Sequence, residues 1–171
     1  MKIHYSLAWL AALLVAAGAS AQTKITISEQ CSRPTAEYTI PVGDHPGHMF
    51  RIEQSTCTPQ NAVEIEGVAV KQHQVTGFTE IDTAEGTGHD QWFHVFTMAN
   101  GESVYARSQG TAAFEDARFK SSTAQWTFEG GTGKFKSLSG KGSYSCRPAP
   151  GGWACDAQGE YRMFLGGVVG G

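Results

Sequence analysis

After residue 21, no stretch of eleven or more residues repeats apolar side chains at the i, i+3, i+4, i+7 spacing of an amphipathic helix, and this confines the chain to β structure. What recurs instead is a set of short runs rich in β-branched and aromatic residues, each bounded by Gly, Pro, Asn or Asp. The runs at 24–28, 37–41, 48–54, 62–75, 90–99, 103–109, 123–129, 140–146 and 158–164 are the candidate strands. Between 91–98 and 103–107 stands Asn100-Gly101, the pair that suits a type I′ turn because both central residues take positive φ. The run 62–75 is long for one strand, and Gly67 marks a bend or bulge within it. Eight or nine strands in one domain fit a sandwich or a closed barrel. Closure removes exposed strand edges, which favours the barrel.

The first 21 residues read differently. Lys2 is followed by an apolar run from Leu7 to Ala17 and by the small-residue end Ala19-Ser20-Ala21, the layout of a cleavable export signal. The 171-residue chain would then leave a 150-residue domain, with residues 22–164 as the barrel and 165–171 as a Gly-rich tail. Lys2 is the only charged side chain lost, so the remainder is one unit more negative than the whole chain's −3. That charge argues against nucleic acid, whose phosphates need a clustered positive surface. No later apolar run is long enough for a membrane-spanning helix. The expected location is periplasmic or extracellular.

The four cysteines, Cys31, Cys57, Cys146 and Cys155, are an even set in a chain that reads as exported, which points to two disulfides. Three pairings are open. Local pairing, Cys31–Cys57 and Cys146–Cys155, is the expectation, because the second pair brackets a Pro- and Gly-rich turn at 147–152. The spacings do not suit a zinc site of the C-x2-C kind.

The segment 126–146, WTFEGGTGKFKSLSGKGSYSC, is the most distinctive. It places Gly-Gly-Thr-Gly-Lys-Phe after an aromatic strand and Gly-x-Gly-x-Tyr at the start of the next. Gly130, Gly131 and Gly133 let the chain turn at a corner, Phe135 and Leu138 offer apolar caps, and Gly140 and Gly142 let the following strand bend. Neither Gly133-Lys134-Phe135 nor Gly140-Lys141-Gly142 completes a P-loop. The segment resembles the corresponding stretch of allene oxide cyclase-like and dirigent-like barrels, including small exported bacterial relatives. Gln109-Gly110-Thr111 fits the same layout, and the resemblance covers about 110–161. It implies an eight-stranded antiparallel barrel, lipocalin-like in shape, with an apolar cavity. It carries over no catalytic residue.

Five histidines follow residue 21: His45, His48, His73, His89 and His94. His45-Pro46-Gly47-His48 with Asp44, and His89-Asp90 with His94, hold imidazole and carboxylate groups that would suit zinc or copper if the two loops met. Nothing in the sequence brings them together, so the expectation is solvated histidines, with no metal and no cofactor. In one strand, His89 and His94 point to opposite faces.

Alternation supplies the candidate pocket. Trp92, His94 and Phe96 share a face opposite Phe93 and Val95, so both faces of that strand carry large apolar groups. Tyr105 and Arg107 oppose Val104 and Ala106, while Trp126 and Phe128 oppose Gln125, Thr127 and Glu129. If Tyr105 and Arg107 point inward, then Trp92, His94, Tyr105, Arg107 and Trp126 form an apolar pocket with a few polar groups, as small-ligand sites do. No nucleophile elbow is present. Glu64 and Glu66, about 7 Å apart on one strand face, are commonplace on a solvated strand. The leading expectation is non-enzymatic binding of a small apolar molecule. A cyclase or isomerase acting on an unsaturated substrate, and a filled barrel that forms a homo-oligomer through its apolar outer strands, are the alternatives.

Overall fold

The computed structural model describes residues 22–164. The expected export signal and the Gly-rich tail lie outside the described residues. The strands are β1 (Thr23–Ser32), β2 (Ala36–Pro41), β3 (His48–Pro59), β4 (Glu64–Ile65), β5 (Val68–Asp82), β6 (Thr87–Met98), β7 (Ser103–Glu115), β8 (Arg118–Gly131), β9 (Leu138–Ala149) and β10 (Gly152–Met163). The one helical element described is a short 3-10 turn, Gly133–Ser137.

Every pairing is antiparallel. From β5 the sheet runs through β6, β7, β8, β9, β10 and β1 to β3, and β3 pairs back onto β5 to close an eight-stranded barrel. β2 continues β1 past an irregular step at 33–35 and flanks the other half of β3. The fold is the one expected, with strands longer than their sequence runs. The stretch 76–82, outside the expected strands, completes β5.

Two turns differ from expectation. Gly67 is not a bulge: Glu66 (φ +52) and Gly67 (φ +70) form the two-residue turn of a small β4–β5 hairpin in which Ile65 pairs Val68. The bulge falls at Lys71, where the β5–β6 register steps between Val70 and Gln72. Asn100 has no positive φ. Gly101 alone does (+83), its N–H donates to the Met98 carbonyl at 3.0 Å, and the Met98 N–H donates to the Glu102 carbonyl at 2.9 Å. The loop is thus a type I turn followed by a left-handed glycine, the usual three-residue alternative to type I′.

The register sets the two ends apart. The turns at 42–47, 83–86, 116–117 and 150–151 gather at one end. The opposite end is plugged by Phe135, Ile65, Met98, Val104 and Leu138, all fully or nearly fully buried. Gly130 (φ +88) and Gly133 (φ +52) turn the corner that carries Phe135 inward, as the sequence suggests. Gly142 does something else. A Cβ there would lie 2.5 Å from the Trp126 indole, and one on Gly159 would lie 2.4 Å from it. These glycines leave the floor on which a large ring lies inside the tube.

Both disulfides form as expected, Cys31–Cys57 and Cys146–Cys155. Each joins directly paired residues of neighbouring strands and faces inward, packed with Val75. They are compatible with an oxidising compartment.

Candidate functional site

Above the apolar plug the lumen is not filled. A cavity of about 300 Å3 opens toward the end with the four hairpin turns. Its deep wall is aromatic, with Phe96, Trp126 and Phe128, while Trp92, Phe114, Phe119 and Trp153 rise toward the mouth. Both disulfides contribute to the wall. At the rim, Arg51 lies 3.5 Å from Glu53 and 3.8 Å from Glu37. Burial outweighs Arg51 at Glu53 and raises the pKa of that carboxyl.

A chain of polar side chains crosses this apolar lumen. Glu29 Oε2 is 2.8 Å from His73 Nδ1, and His73 Nε2 is 3.0 Å from His94 Nδ1. His94 Nε2 is 2.8 Å from Ser108 Oγ, which is 3.2 Å from the Tyr144 hydroxyl. One polarity satisfies every link with both rings neutral. Tyr144 donates to Ser108, Ser108 to His94, His94 through Nδ1–H to His73, and His73 through Nδ1–H to Glu29. Burial, with His73 alongside, holds the His94 pKa well below that of a free imidazole. Burial likewise pushes the Tyr144 hydroxyl up, so it stays a proton donor. The His73 and His94 rings stack on each other with centroids 5.1 Å apart, and His73 stacks on Phe96 at 4.0 Å.

Among the described residues, three cavity side chains each hold a buried atom with no hydrogen bond: Arg51 Nε, which still has Glu37 at 3.8 Å, and Asp90 Oδ1 and Trp126 Nε1. Burial lifts the Asp90 pKa to about 6, against an opposing contribution from Trp92. An acceptor and a donor left open in a mostly apolar chamber are what a ligand's polar atoms or water would satisfy.

Of the residues selected from the sequence, Trp92, His94 and Trp126 line the cavity together. Tyr105 and Arg107 do not. Tyr105 is 38% exposed on the outer wall, and Arg107 stacks over Phe93 at 4.9 Å and pairs with Glu129 at 3.2 Å, also outside. The reason is register. His94 pairs with Ala106 and Phe96 with Val104, and paired residues share a face, so the small side chains of β7 turn inward beneath the rings of β6. The sequence picks out His73, Asp90 and Tyr144 only singly, with His73 expected in solvent rather than buried as it is, and Glu29 and Ser108 not at all, since the five come from five strands and meet only when the tube closes. The outer face of β2, β3, β5 and β6 does expose large apolar groups, among them Tyr38, Ile52, Phe78 and Phe93.

Glu29 also lies near Cys31 and Cys57, but bridged sulfurs are not thiolate ligands for a metal. His89 points outward while His94 points in, as the alternation requires. The loop histidines His45 and His48 cluster with Asp44 apart from the cavity.

A closed antiparallel eight-stranded barrel with an open-ended, aromatic-walled lumen defines the class of fold. Among solved structures it is similar to two pterocarpan synthase dirigent proteins. GePTS1 shares 12% identity at a TM-score of 0.48, over 85% of this chain and 92% of that one. PsPTS1 shares 11% identity at 0.48, over 86% and 97%. No protein-family model matches the chain, and no curated protein matches it.

Proposed function

We propose that the protein is exported and binds a small, mostly apolar molecule in the barrel lumen without transforming it. The observation that carries this reading is the aromatic chamber of about 300 Å3, in which Asp90 Oδ1 and Trp126 Nε1 stand buried and unpartnered. The walls supply apolar contact, and the two open groups orient a ligand that carries a hydroxyl or carbonyl. The test is native mass spectrometry of freshly purified protein, followed by titration of the recovered molecule against Trp fluorescence. Ala112, small and buried at the cavity wall, is the place to fill it. Ala112→Phe should weaken binding by about tenfold or more, as losing about 1.4 kcal/mol does, while Tyr105→Ser on the outer wall leaves it unchanged. Protein that retains no small molecule and takes up none of a panel of apolar alcohols and ketones would refute the reading.

A second reading, a cyclase- or isomerase-type barrel, is favoured by the chain from Tyr144 to Glu29. Its uniform polarity is that of a path along which a proton can be handed on. Under that reading His94→Gln abolishes turnover of a bound unsaturated substrate and leaves its affinity within a fewfold.

A further inference from the structure

We propose that the β2–β3 turn holds one divalent transition-metal ion of the zinc–copper class, bound by His45, His48 and Asp44. The three ligand atoms lie within 4.8 Å of one another. His48 Nδ1 is 2.8 and 2.9 Å from the two Asp44 oxygens, and His45 Nδ1 is 3.3 Å from Asp44 Oδ2. The far side of each ring is also occupied. His45 Nε2 is 2.9 Å from Asp82, and His48 Nε2 is 3.0 Å from Glu80.

Counting donors shows what the turn lacks. A neutral imidazole has one N–H, yet each ring meets a carboxylate at both nitrogens. With the Nε2–H groups donated to Asp82 and Glu80, both Nδ1 lone pairs face Asp44 oxygens. That contact is repulsive unless a cation lies between them. Two extra protons or one metal ion would answer, and no lysine or arginine forms an ion pair with these three carboxylates among the described residues.

The arrangement can close on a metal. Bonds of about 2.0–2.1 Å in a tetrahedral site hold ligand atoms about 3.3 Å apart. The Nδ1 to Asp44 distances of 2.8 to 3.3 Å reach that spacing with shifts of a few tenths of an ångström. A carboxylate behind each ring, fixing its tautomer, is the usual support of a metal-bound histidine. That support is itself anchored. Asp82 Oδ1 accepts the backbone N–H groups of Ala84 at 2.9 Å and Glu85 at 3.2 Å. The Thr83 N–H donates to the Gly47 carbonyl at 3.1 Å, and a Cβ on Gly47 (φ +88) would lie 2.0 Å from Thr83 Oγ1. The turn is therefore docked on the end of β5 with its imidazoles aimed, and it needs glycine at 47 to be there. Two imidazoles and one carboxylate suit zinc or copper rather than magnesium or calcium, which take oxygen ligands. Asp44 and His45 are exposed, so the remaining position is open to water.

The test uses chelator-treated protein titrated with Zn2+ by calorimetry, with histidine ring 15N spectra recorded alongside, and with Cu2+ as a paramagnetic probe. One Zn2+ per chain is expected, at a Kd below about 10 µM, with the Nδ1 resonances of His45 and His48 shifting together and His89 unmoved. Asp82→Asn and Glu80→Gln should each weaken binding about 10- to 100-fold, and His45→Gln with His48→Gln should abolish it. The proposal is overturned if the wild-type protein takes up no zinc at about 1 mM, if the ring shifts fall on other histidines, or if the double variant binds as the wild type does. The ring spectra decide the matter on wild-type protein even if a variant does not fold.

Discussion

Asp90 is the residue whose environment most contradicts its chemistry. It stands on β6 among apolar side chains, one oxygen has no partner, and burial raises its pKa to about 6 from an ordinary value of 3.8. The sign for stability follows from linkage. Between those two values the folded protein binds a proton that the unfolded chain has released, so stability from this group rises as pH falls through about 6 and is fully recovered below 3.8. Above about 6 the native state must hold a buried carboxylate. Asp90→Asn should therefore raise Tm by about 2–6 °C at pH 7.5, and the gain should fade by pH 4.5. His94 works in the opposite sense. Its depressed pKa withholds a proton that the unfolded chain takes up as pH falls below 6.5. Comparing the Asn variant with wild type at each pH cancels that contribution. A gain equal at both pH values, in thermal melts followed by circular dichroism, would show that Asp90 is not held up by burial.

At the scale of the strand and the hairpin, alternation shows which side chains travel together but not which set goes inside. On β8 the two coincide, because Trp126 and Phe128 oppose polar residues and only one set can be buried. β7 offers Tyr105 and Arg107 against Val104 and Ala106, and size argues for the wrong set. The register across the 99–102 turn decides it, since placing Trp92, His94 and Phe96 inside obliges Ala106 and Val104 to follow. The two-residue turn expected at Asn100-Gly101 would instead pair His94 with Arg107 and Phe96 with Tyr105, so the facing of β7 hinged on one extra loop residue. The polar chain from Glu29 to Tyr144 was not legible either, because it depends on how five strands wrap. The β7–β8 hairpin offers a test of its own. Glu115 pairs with Arg118, leaving Asp116 (φ +49) and Ala117 (φ +58) as a two-residue turn in the left-handed region. Asn-Gly is the preferred pair there, and a Cβ in that region costs about 1–2 kcal/mol. Relief of that strain outweighs the added freedom of the unfolded chain, so Ala117→Gly should stabilise the protein by about 0.5–1 kcal/mol. Urea unfolding would register this as a higher midpoint at unchanged slope. A lower midpoint would mean the turn is not strained as described.

For the whole molecule, the critical matter is where the tube is sewn shut. Most neighbouring strands pair over ten or more residues, but β1 meets β3 only at Glu29–Pro59, Gln30–Thr58 and Cys31–Cys57. Beyond Ser32 the chain leaves β10 and continues as β2, so this seam is the shortest in the wall. The Cys31–Cys57 bridge crosses it, whereas Cys146–Cys155 crosses β9–β10, a hairpin already paired along its full length. The two also close different loops, with sequence separations of 26 and 9. On the chain-entropy account these are worth about 3.5 and 2.6 kcal/mol respectively. Both considerations rank the bridges the same way. Replacing Cys31 and Cys57 by alanine should cost more stability than replacing Cys146 and Cys155, by about 1 kcal/mol from loop length alone. The difference should be larger to the extent that the seam opens. Opening the seam would also admit water beside Glu29 and His73, which begin the polar chain across the lumen. The first double variant should therefore show faster hydrogen exchange in β1 and β3 and, on the proposed binding function, weaker ligand retention. The second should keep both near the wild-type level. Equal losses in guanidinium unfolding, or the reverse order, would place the weak point of the barrel elsewhere than the β1–β3 seam.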